Sequence, residues 1–232
     1  ERLSLTVEGL QRPLRVAHLT DLHFGQVTPQ KLQDHAVDAV NEEAPDLTVL
    51  TGDFVCRGAR HLDALSSTLA RIEGPRFAVL GNHDHWCGAE AVRRSLRRAG
   101  IEVLDNAWTK LEELSIAGID DSTTKHHDPV KATRGLKGPV LGLSHNPAGA
   151  PSLWDEGVQT VLSGHTHGGQ LHWKGLTPRV YAALGTEFLS GVYERGPSTV
   201  YVNPGVGSSV LPWRVGRPAR RTVAILELTP RS

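Results

Sequence analysis

Five short apolar segments of this 232-residue chain each run directly into side chains of the kind that bind metal ions. These side chains are Asp21 and His23, Asp53, Asn82 and His83, His145, and His165 and His167. The pattern constrains the fold, because sites in open α/β sheets lie beyond the carboxyl ends of the strands. We therefore expect oxygen and imidazole groups from five strand ends to converge at one edge, in numbers sufficient for two metal ions.

The segment Gly164-His165-Thr166-His167-Gly168-Gly169-Gln170 carries two of these histidines, two positions apart. On an extended backbone, residues two apart point to the same side, so the pair can begin a metal site. The glycines allow the backbone to turn sharply. For any one of these histidines taken alone, a purely structural role would be the expectation. Only the joint occurrence of the whole set indicates metal binding.

The first half of the chain alternates between predicted strands and helices. The strands are predicted over 14–19, 47–50 and 77–80, and the helices over 28–43, 61–72 and 88–99. Thr28 is predicted to cap the first helix, with Pro29 at its first position. This alternation favours a mostly parallel sheet.

The second half is richer in strands. Segments 102–104, 108–111 and 114–119 predict a meander, and further strands are predicted over 139–143, 158–162, 200–202 and 222–228, with a hairpin around 195–198. The two halves together predict an α/β fold, a four-layer α-β-β-α sandwich in which helices flank two mixed β-sheets. We expect the metal site at the C-terminal strand ends and a single domain over residues 1–232.

Composition narrows the class of protein. Lys and Arg together number 25, and Asp and Glu together also number 25. This balance of charge disfavours non-specific binding to nucleic acid.

Cys56 and Cys87 are too few for a disulfide framework, so we expect buried thiols, with one bridge between them as the alternative. No apolar run approaches the roughly 18 residues of a membrane span. Because the chain begins at Glu1 rather than Met, we expect that an N-terminal segment has been removed, and membrane association through such a segment is one expectation. We also expect a monomer that is cytoplasmic or membrane-associated.

The ordered motifs resemble those of the calcineurin-like metallophosphoesterase superfamily. The matching residues are Asp21-x-His23, Gly52-Asp53, Gly81-Asn82-His83-Asp84, His145 and Gly164-His165-x-His167. The form of the segments at 144–147, 164–170 and 200–207 is similar to the compact bacterial branch of that family, whose members often carry an N-terminal membrane anchor.

The resemblance implies a role for each residue of the set. Asp21, His23 and His167 would hold one divalent metal ion, Asn82, His145 and His165 a second, and Asp53 would bridge the two. A hydroxide shared by the metals would attack phosphorus, His83 would serve as general acid or cationic stabiliser, and Asp84 would orient His83. Manganese is the expected metal, with iron, zinc or nickel as alternatives, because the ligands include no thiolate.

The implied activity is hydrolysis of a phosphodiester or a pyrophosphate. The polar segment 120–137 is short and predicts no inserted cap, so the site is expected to be open. One alternative is a membrane-surface pyrophosphatase for a nucleotide-linked lipid of the UDP-2,3-diacylglucosamine type, which predicts an exposed apolar groove. A nuclease is a further alternative that the charge balance disfavours. From a different class, the chain could be a non-catalytic metal-binding interaction module, although such proteins usually lack ligands.

Residues near the motifs give weaker evidence of their roles. Arg57 lies in Gly52-Asp53-Phe54-Val55-Cys56-Arg57-Gly58, which resembles a phosphatase segment whose arginine binds phosphate, with Cys56 in place of the usual Asp. The sequence is equally consistent with Arg57 as a substrate contact and with Arg57 as a solvated loop residue. His18 is predicted to be a core histidine and Cys56 an inert apolar residue. Exposed positions are predicted for His35, His61, His126 and His127.

Overall fold

The computed structural model describes residues 1–56, 58–183, 187–209 and 211–231. The first six strands are β1 (Arg2–Val7), β2 (Leu14–Leu19), β3 (Leu47–Thr51), β4 (Arg76–Val79), β5 (Glu102–Val103) and β6 (Ala107–Leu111). The remaining strands are β7 (Leu114–Gly118), β8 (Val140–Leu143), β9 (Thr160–Ser163), β10 (Gly191–Arg195), β11 (Ser198–Val202) and β12 (Ala224–Pro230). The α-helices are α1 (Gln30–Glu42), α2 (Leu62–Leu69), α3 (Asn82–Arg98), α4 (Pro129–Thr133), α5 (Ala150–Asp155) and α6 (Thr177–Ala183).

The strands form two six-stranded sheets, ordered β1-β12-β2-β3-β4-β5 and β10-β11-β9-β8-β7-β6. In the first sheet β2 to β5 run parallel, whereas β12 runs antiparallel to β2 and parallel to β1. In the second sheet β11, β9, β8 and β7 run parallel, and the edge strands β10 and β6 are antiparallel to their neighbours. Both sheets are mixed, as predicted.

Three apolar clusters define the layers. One joins Val37 of α1, Leu65 of α2 and Leu96 of α3 to the outer face of the first sheet. A second lies between the sheets and combines residues such as Leu226 of β12 with Leu162 of β9. The third packs α4 and α5 on the outer face of the second sheet. The predicted α-β-β-α sandwich is therefore confirmed.

The prediction of a meander over 102–119 is wrong in one respect. Strand β5 pairs in parallel with β4 at the edge of the first sheet, whereas β6 and β7 form a hairpin in the second sheet. The chain therefore crosses between sheets within three residues after Val103. Apolar periodicity marks each short segment as a strand but does not show which sheet it joins.

Two helix starts also differ from the prediction. The N-cap of α1 is Pro29 rather than Thr28, and no side chain caps this helix. The Thr28 hydroxyl instead donates to the Ser208 carbonyl and accepts from the Ser208 N–H. Helix α3 begins at Asn82 rather than Gly88, and Gly88 interrupts it with φ of 105°. The earlier start places the Asn82-His83-Asp84 motif in the first turn of a helix.

The predicted structural residues lie mostly where expected. His18 is fully buried, its Nε2 atom is 2.8 Å from Thr51 Oγ1, and burial lowers its pKa to about 3, so it is a neutral core histidine. His35, His126 and His127 are exposed, while His61 is half-buried. No disulfide joins Cys56 to Cys87, which confirms the thiol state. No helix within the described ranges combines the length and apolarity that a bilayer span needs.

Candidate metal centre

The side chains predicted as metal ligands follow strands from both sheets. Asp21 and His23 follow β2, Asp53 follows β3 and Asn82 follows β4, all in the first sheet. The second sheet contributes His145 after β8, and His165 and His167 after β9. The carboxyl ends of five parallel strands therefore meet at one edge of the sandwich, as the sequence predicts.

The backbone is strained at most of these positions. The φ angle is positive at Asp21, His23, Asp53, His165 and His167, with values from 44° to 72°. Residues other than glycine rarely adopt this left-handed conformation, and each costs on the order of 1–3 kcal/mol. Such strain persists only where surrounding contacts enforce it, and it concentrates at functional sites.

The first cluster is formed by Asp21, His23 and His167, whose ligand atoms lie within 4.8 Å of one another. The Nε2 atoms of the two histidines are 3.1 Å apart, and Asp21 Oδ1 is 3.5 Å from His167 Nε2. The second oxygen of Asp21 accepts hydrogen bonds from the Thr20 hydroxyl and the His165 backbone N–H. Asp21 Oδ1 has no hydrogen-bond partner despite its burial, which leaves it available to a cation.

The second cluster is formed by Asp53, His145 and His165. His145 Nε2 lies 3.2 Å from His165 Nδ1 and 3.2 Å from Asn82 Oδ1, so the asparagine joins this group. The other nitrogen of His145, Nδ1, donates to the Thr51 carbonyl over 2.7 Å. This bond orients the ring so that Nε2 faces the cluster and can bind a metal ion once it has lost its proton, as in many metal-binding histidines.

Asp53 connects the two clusters. Its Oδ2 atom is 3.5 Å from His23 Nε2 in the first cluster, and its Oδ1 atom is 3.3 Å from His145 Nε2 in the second. The side chain is buried, and the neighbouring loop approaches it so closely that a Cβ on Gly81 would clash with Asp53 Oδ1. One carboxylate thus presents an oxygen to each ligand group.

Burial and charge determine the protonation of these groups. Burial lowers the pKa of His23 to about 3 and that of His165 to about 4, so both rings are neutral near pH 7. Burial also opposes a charge on His145, but Asp53 beside it raises its pKa to about 10. The same pairing holds the pKa of Asp53 well below its ordinary value, although burial opposes this. The Asp53–His145 ion pair therefore holds a proton that a bound cation would replace.

The donor set fits divalent metal ions. Three carboxylate or amide side chains and four histidines converge, Asp21 has an unpartnered buried oxygen, and ring nitrogens face one another at hydrogen-bond distance. Neutral imidazoles and carboxylates suit borderline transition metals.

His83 belongs to the rim of this site. Its Nε2 atom is 3.9 Å from Asp53 Oδ2, and its side chain is 24% exposed, whereas those of His23 and His145 are fully buried. The ring lies edge-on to His23 at 4.9 Å and 5.0 Å from Trp86, which is 65% exposed. His83 therefore faces a surface cleft, lined by Asp53, Asn82, His83, His165, Thr166, His167, Gly169, Gln170, Leu171, Tyr181, Ser209 and Leu211.

Asp84 has different partners from those expected. Its Oδ1 accepts from the backbone N–H groups of Phe54 and Val55, and its Oδ2 accepts from that of Gly81. None of the hydrogen bonds found among the described residues joins it to the His83 ring. Burial raises the pKa of Asp84 to about 7. The carboxyl group links the loops after β3 and β4, so its influence on His83 would act through the backbone.

Arg57 lies outside the described residues, so its contact with substrate stays a prediction. The Cys56 sulfur lies within 4.8 Å of ligand nitrogens of His23 and His83, closer to the site than its expected inert role implies. Its thiol donates to the Ser209 carbonyl over 3.3 Å.

Arg214 is a residue that the sequence analysis missed. Its Nη2 lies 2.7 Å from His167 Nδ1, while other N–H groups of its half-buried guanidinium donate to the carbonyls of Pro204 and Gly207. Burial lowers the pKa of Arg214 to about 10. Because a guanidinium only donates, His167 Nδ1 accepts, and a neutral His167 ring carries its proton on Nε2, facing the first cluster.

Comparison with known proteins agrees with this geometry. Residues 14–169 match the model of calcineurin-like phosphoesterases. An uncharacterized metallophosphoesterase of Aquifex aeolicus is 32% identical and aligns with 94% of this chain and 87% of its own length. The phosphodiesterase YaeI of Escherichia coli is 31% identical, over 84% of this chain and 76% of its own.

Two further matches compare this chain with its relatives in length and in fold. The chain spans 62% of the length of an uncharacterized metallophosphoesterase of Helicobacter pylori, to which it is 27% identical. The crystal structure of TT1561 of Thermus thermophilus has the same fold, with a TM-score of 0.60 at 13% identity over 83% of this chain and 90% of that one.

Arg214→Ala should reduce the number of protons released when manganese binds. In the wild type, His167 Nε2 has to lose its proton before it can bind a metal, whereas without the guanidinium the ring can carry that proton on Nδ1. Titration calorimetry in buffers of different ionisation enthalpy measures this number. The substitution should also lower the free energy of unfolding by about 1.5–3 kcal/mol, because hydrogen bonds from a charged group are lost.

Arg221→Ala is the matched control. Arg221 also donates to backbone carbonyls, those of Val206 and Pro212, and forms no described bond to a histidine. It should lower stability but leave proton release at the wild-type value. Equal proton release by Arg214→Ala and the wild type would show that Arg214 does not set the His167 tautomer.

Proposed function

Since the chain belongs to the calcineurin-like phosphoesterase family and is a metal-dependent phosphohydrolase, we propose that it uses two metal ions to cleave phosphodiesters or pyrophosphates. The observation that carries this proposal is the position of Asp53. One oxygen of this carboxylate is 3.5 Å from a first-cluster nitrogen, and the other is 3.3 Å from a second-cluster nitrogen. A carboxylate shared between two sets of ligands can hold two metal ions close together, as two-metal catalysis needs.

The residues would divide between the ions as follows. Asp21, His23 and His167 hold one ion, Asn82, His145 and His165 hold the other, and Asp53 serves both. Divalent cations in such a site neutralise charge on phosphate oxygens and lower the pKa of water. Manganese is the first metal to test, because the carboxylate, amide and imidazole donors include no thiolate.

His83 would act on the phosphate from the side of the cleft. It sits in the first turn of α3, and its backbone N–H donates to Asp53 Oδ1 over 2.9 Å, which fixes its position relative to the ligands. Its partly exposed ring can donate a proton or a hydrogen bond to an oxygen of the bound phosphate or of the leaving group. His83 is thus the proposed general acid or cationic stabiliser.

The openness of the cleft favours substrates with two substituents on phosphorus. Between β7 and β8 the chain carries only the short helix α4, and this described segment contains no cap over the metal ligands. A diester or pyrophosphate can therefore extend in both directions from the clusters. The name of the E. coli relative, phosphodiesterase YaeI, points to the same class.

A nucleotide-linked lipid of the UDP-2,3-diacylglucosamine type is the second candidate substrate. Leu171, Tyr181 and Leu211 line the cleft beside the histidines, so one wall can accept an apolar group. Release of UMP from such a lipid, at a higher kcat/KM than for a water-soluble diester, would favour this substrate. The balanced net charge still disfavours a nuclease, and a complete ligand set disfavours a non-catalytic module.

Purified protein should hydrolyse bis(p-nitrophenyl) phosphate when manganese is present and lose that activity when a chelator removes the metal. Readdition of manganese should restore it. Metal analysis of the same samples should find about two ions per chain in the active form. A fully loaded protein that cleaves neither this diester nor a monoester across a phosphoester panel would contradict the proposal and favour an interaction module.

His83→Ala should lower kcat by about 10²–10⁴-fold, the usual contribution of a general acid, while manganese content stays at the wild-type value. His85→Ala is the matched control, because His85 lies two residues further on, 2.7 Å from Asp120, and belongs to neither cluster. It should retain kcat. Loss of metal from His83→Ala would show that His83 is a ligand instead.

A further inference from the structure

Two segments beside the cleft expose an unusual number of large apolar side chains. Trp173, Leu176 and Val180 are exposed by 60%, 59% and 46%, and Trp213 and Val215 by 66% and 45%. We refer to these five residues as the apolar face. They account for half of the large hydrophobic residues that are exposed in the described part of the chain.

Backbone hydrogen bonds hold the two segments together. The N–H of His172 donates to the Val215 carbonyl, and the N–H of Val215 donates to the Gln170 carbonyl, each over 2.8 Å. This pairing sets Leu171 opposite Val215, and residues two apart on extended chains share a side. The exposed tryptophans therefore continue the line of Leu171, which lines the cleft.

The spacing of the other apolar residues extends the same surface. Trp173, Leu176 and Val180 are three and four residues apart, the interval at which side chains share one side of a helical turn. The N–H of Leu176 donates to the Trp173 carbonyl, and that of Val180 donates to the Leu176 carbonyl, which confirms helical winding here. The apolar face thus reaches from the paired segments onto α6.

The charge of these segments is one-sided. Residues 170–183 and 211–221 contain six Lys or Arg and no Asp or Glu, although the chain as a whole has 25 of each class. Four of the cations, Lys174, Arg179, Arg217 and Arg220, are exposed, and none of them belongs to an ion pair within the described ranges. Elsewhere, exposed arginines such as Arg12, Arg71 and Arg98 lie against carboxylates.

We propose that the apolar face docks onto the surface of a bilayer that contains anionic phospholipid, with the metal cleft opening at that surface. Tryptophan favours the interface between headgroups and acyl chains, aliphatic side chains enter its apolar part, and exposed cations bind anionic headgroups. A nucleic acid would use the two tryptophans for stacking but would leave the three aliphatic residues in water. A second copy of the chain would bring like charges together across a symmetric contact.

Vesicle flotation tests this proposal. The wild-type protein should bind vesicles of phosphatidylcholine mixed with phosphatidylglycerol, bind pure phosphatidylcholine much more weakly, and dissociate as salt is raised. The double variant Trp173→Ser, Trp213→Ser and the triple variant Lys174→Glu, Arg179→Glu, Arg217→Glu should each bind at least about tenfold more weakly.

Matched variants lie away from the face. Val130→Ser with Val192→Ser removes exposed apolar groups from α4 and β10, and Lys31→Glu, Lys110→Glu, Lys131→Glu reverses three other exposed charges. Both should bind vesicles like the wild type. Thermal unfolding checks that every variant is folded, and bis(p-nitrophenyl) phosphate turnover in solution should be unchanged in all of them.

These experiments test membrane docking and catalysis independently, because vesicle binding is measured without substrate and turnover is measured without lipid. Vesicle binding that is absent in the wild type, or equally weakened by the control variants, would overturn the proposal. The face variants can also be assayed for binding to single-stranded nucleic acid and for self-association in sedimentation velocity. If they abolish either of these while vesicle binding persists, the apolar face belongs to nucleic acid or to a second copy of the chain instead.

Discussion

The buried carboxylate of Asp53 is the group on which the rest of the site depends. Burial would normally neutralise such a group, yet its pKa is held low because His145 lies beside it. The ionised Asp53 carboxylate is stable in this buried position only while a positive charge lies beside it, either the proton on His145 or a metal cation. Because its two oxygens face different clusters, Asp53 also sets the distance between those clusters.

The architecture explains how ligands from distant parts of the sequence meet at this carboxylate. Asp53 and Asn82 come from the first sheet, while His145 and His165 come from the second. Packing between the sheets therefore determines the shape of the second cluster. The positive φ angles at five of the predicted ligands show that the local backbone is not relaxed there, and the rigid strands on either side supply the constraint.

Much of this arrangement could be predicted from the sequence, because each ligand directly follows an apolar run. That local signal predicts most of the strands and the sheet edge at which these side chains meet. What the sequence analysis missed depends on contacts between distant residues. Arg214 sits in a loop without periodic pattern and reaches His167 only after the chain has folded. Similarly, Thr28 has the local signature of a helix cap but bonds to Ser208, and β5 joins β4 rather than β6.

In the proposed site, two metal ions share the Asp53 carboxylate. Diffraction from crystals grown with manganese, recorded at the manganese absorption edge, can locate such ions directly. We expect two anomalous peaks on either side of the Asp53 carboxylate, one adjoining Asp21, His23 and His167 and the other adjoining Asn82, His145 and His165. A single peak, or two peaks that do not share Asp53 as a ligand, would contradict it.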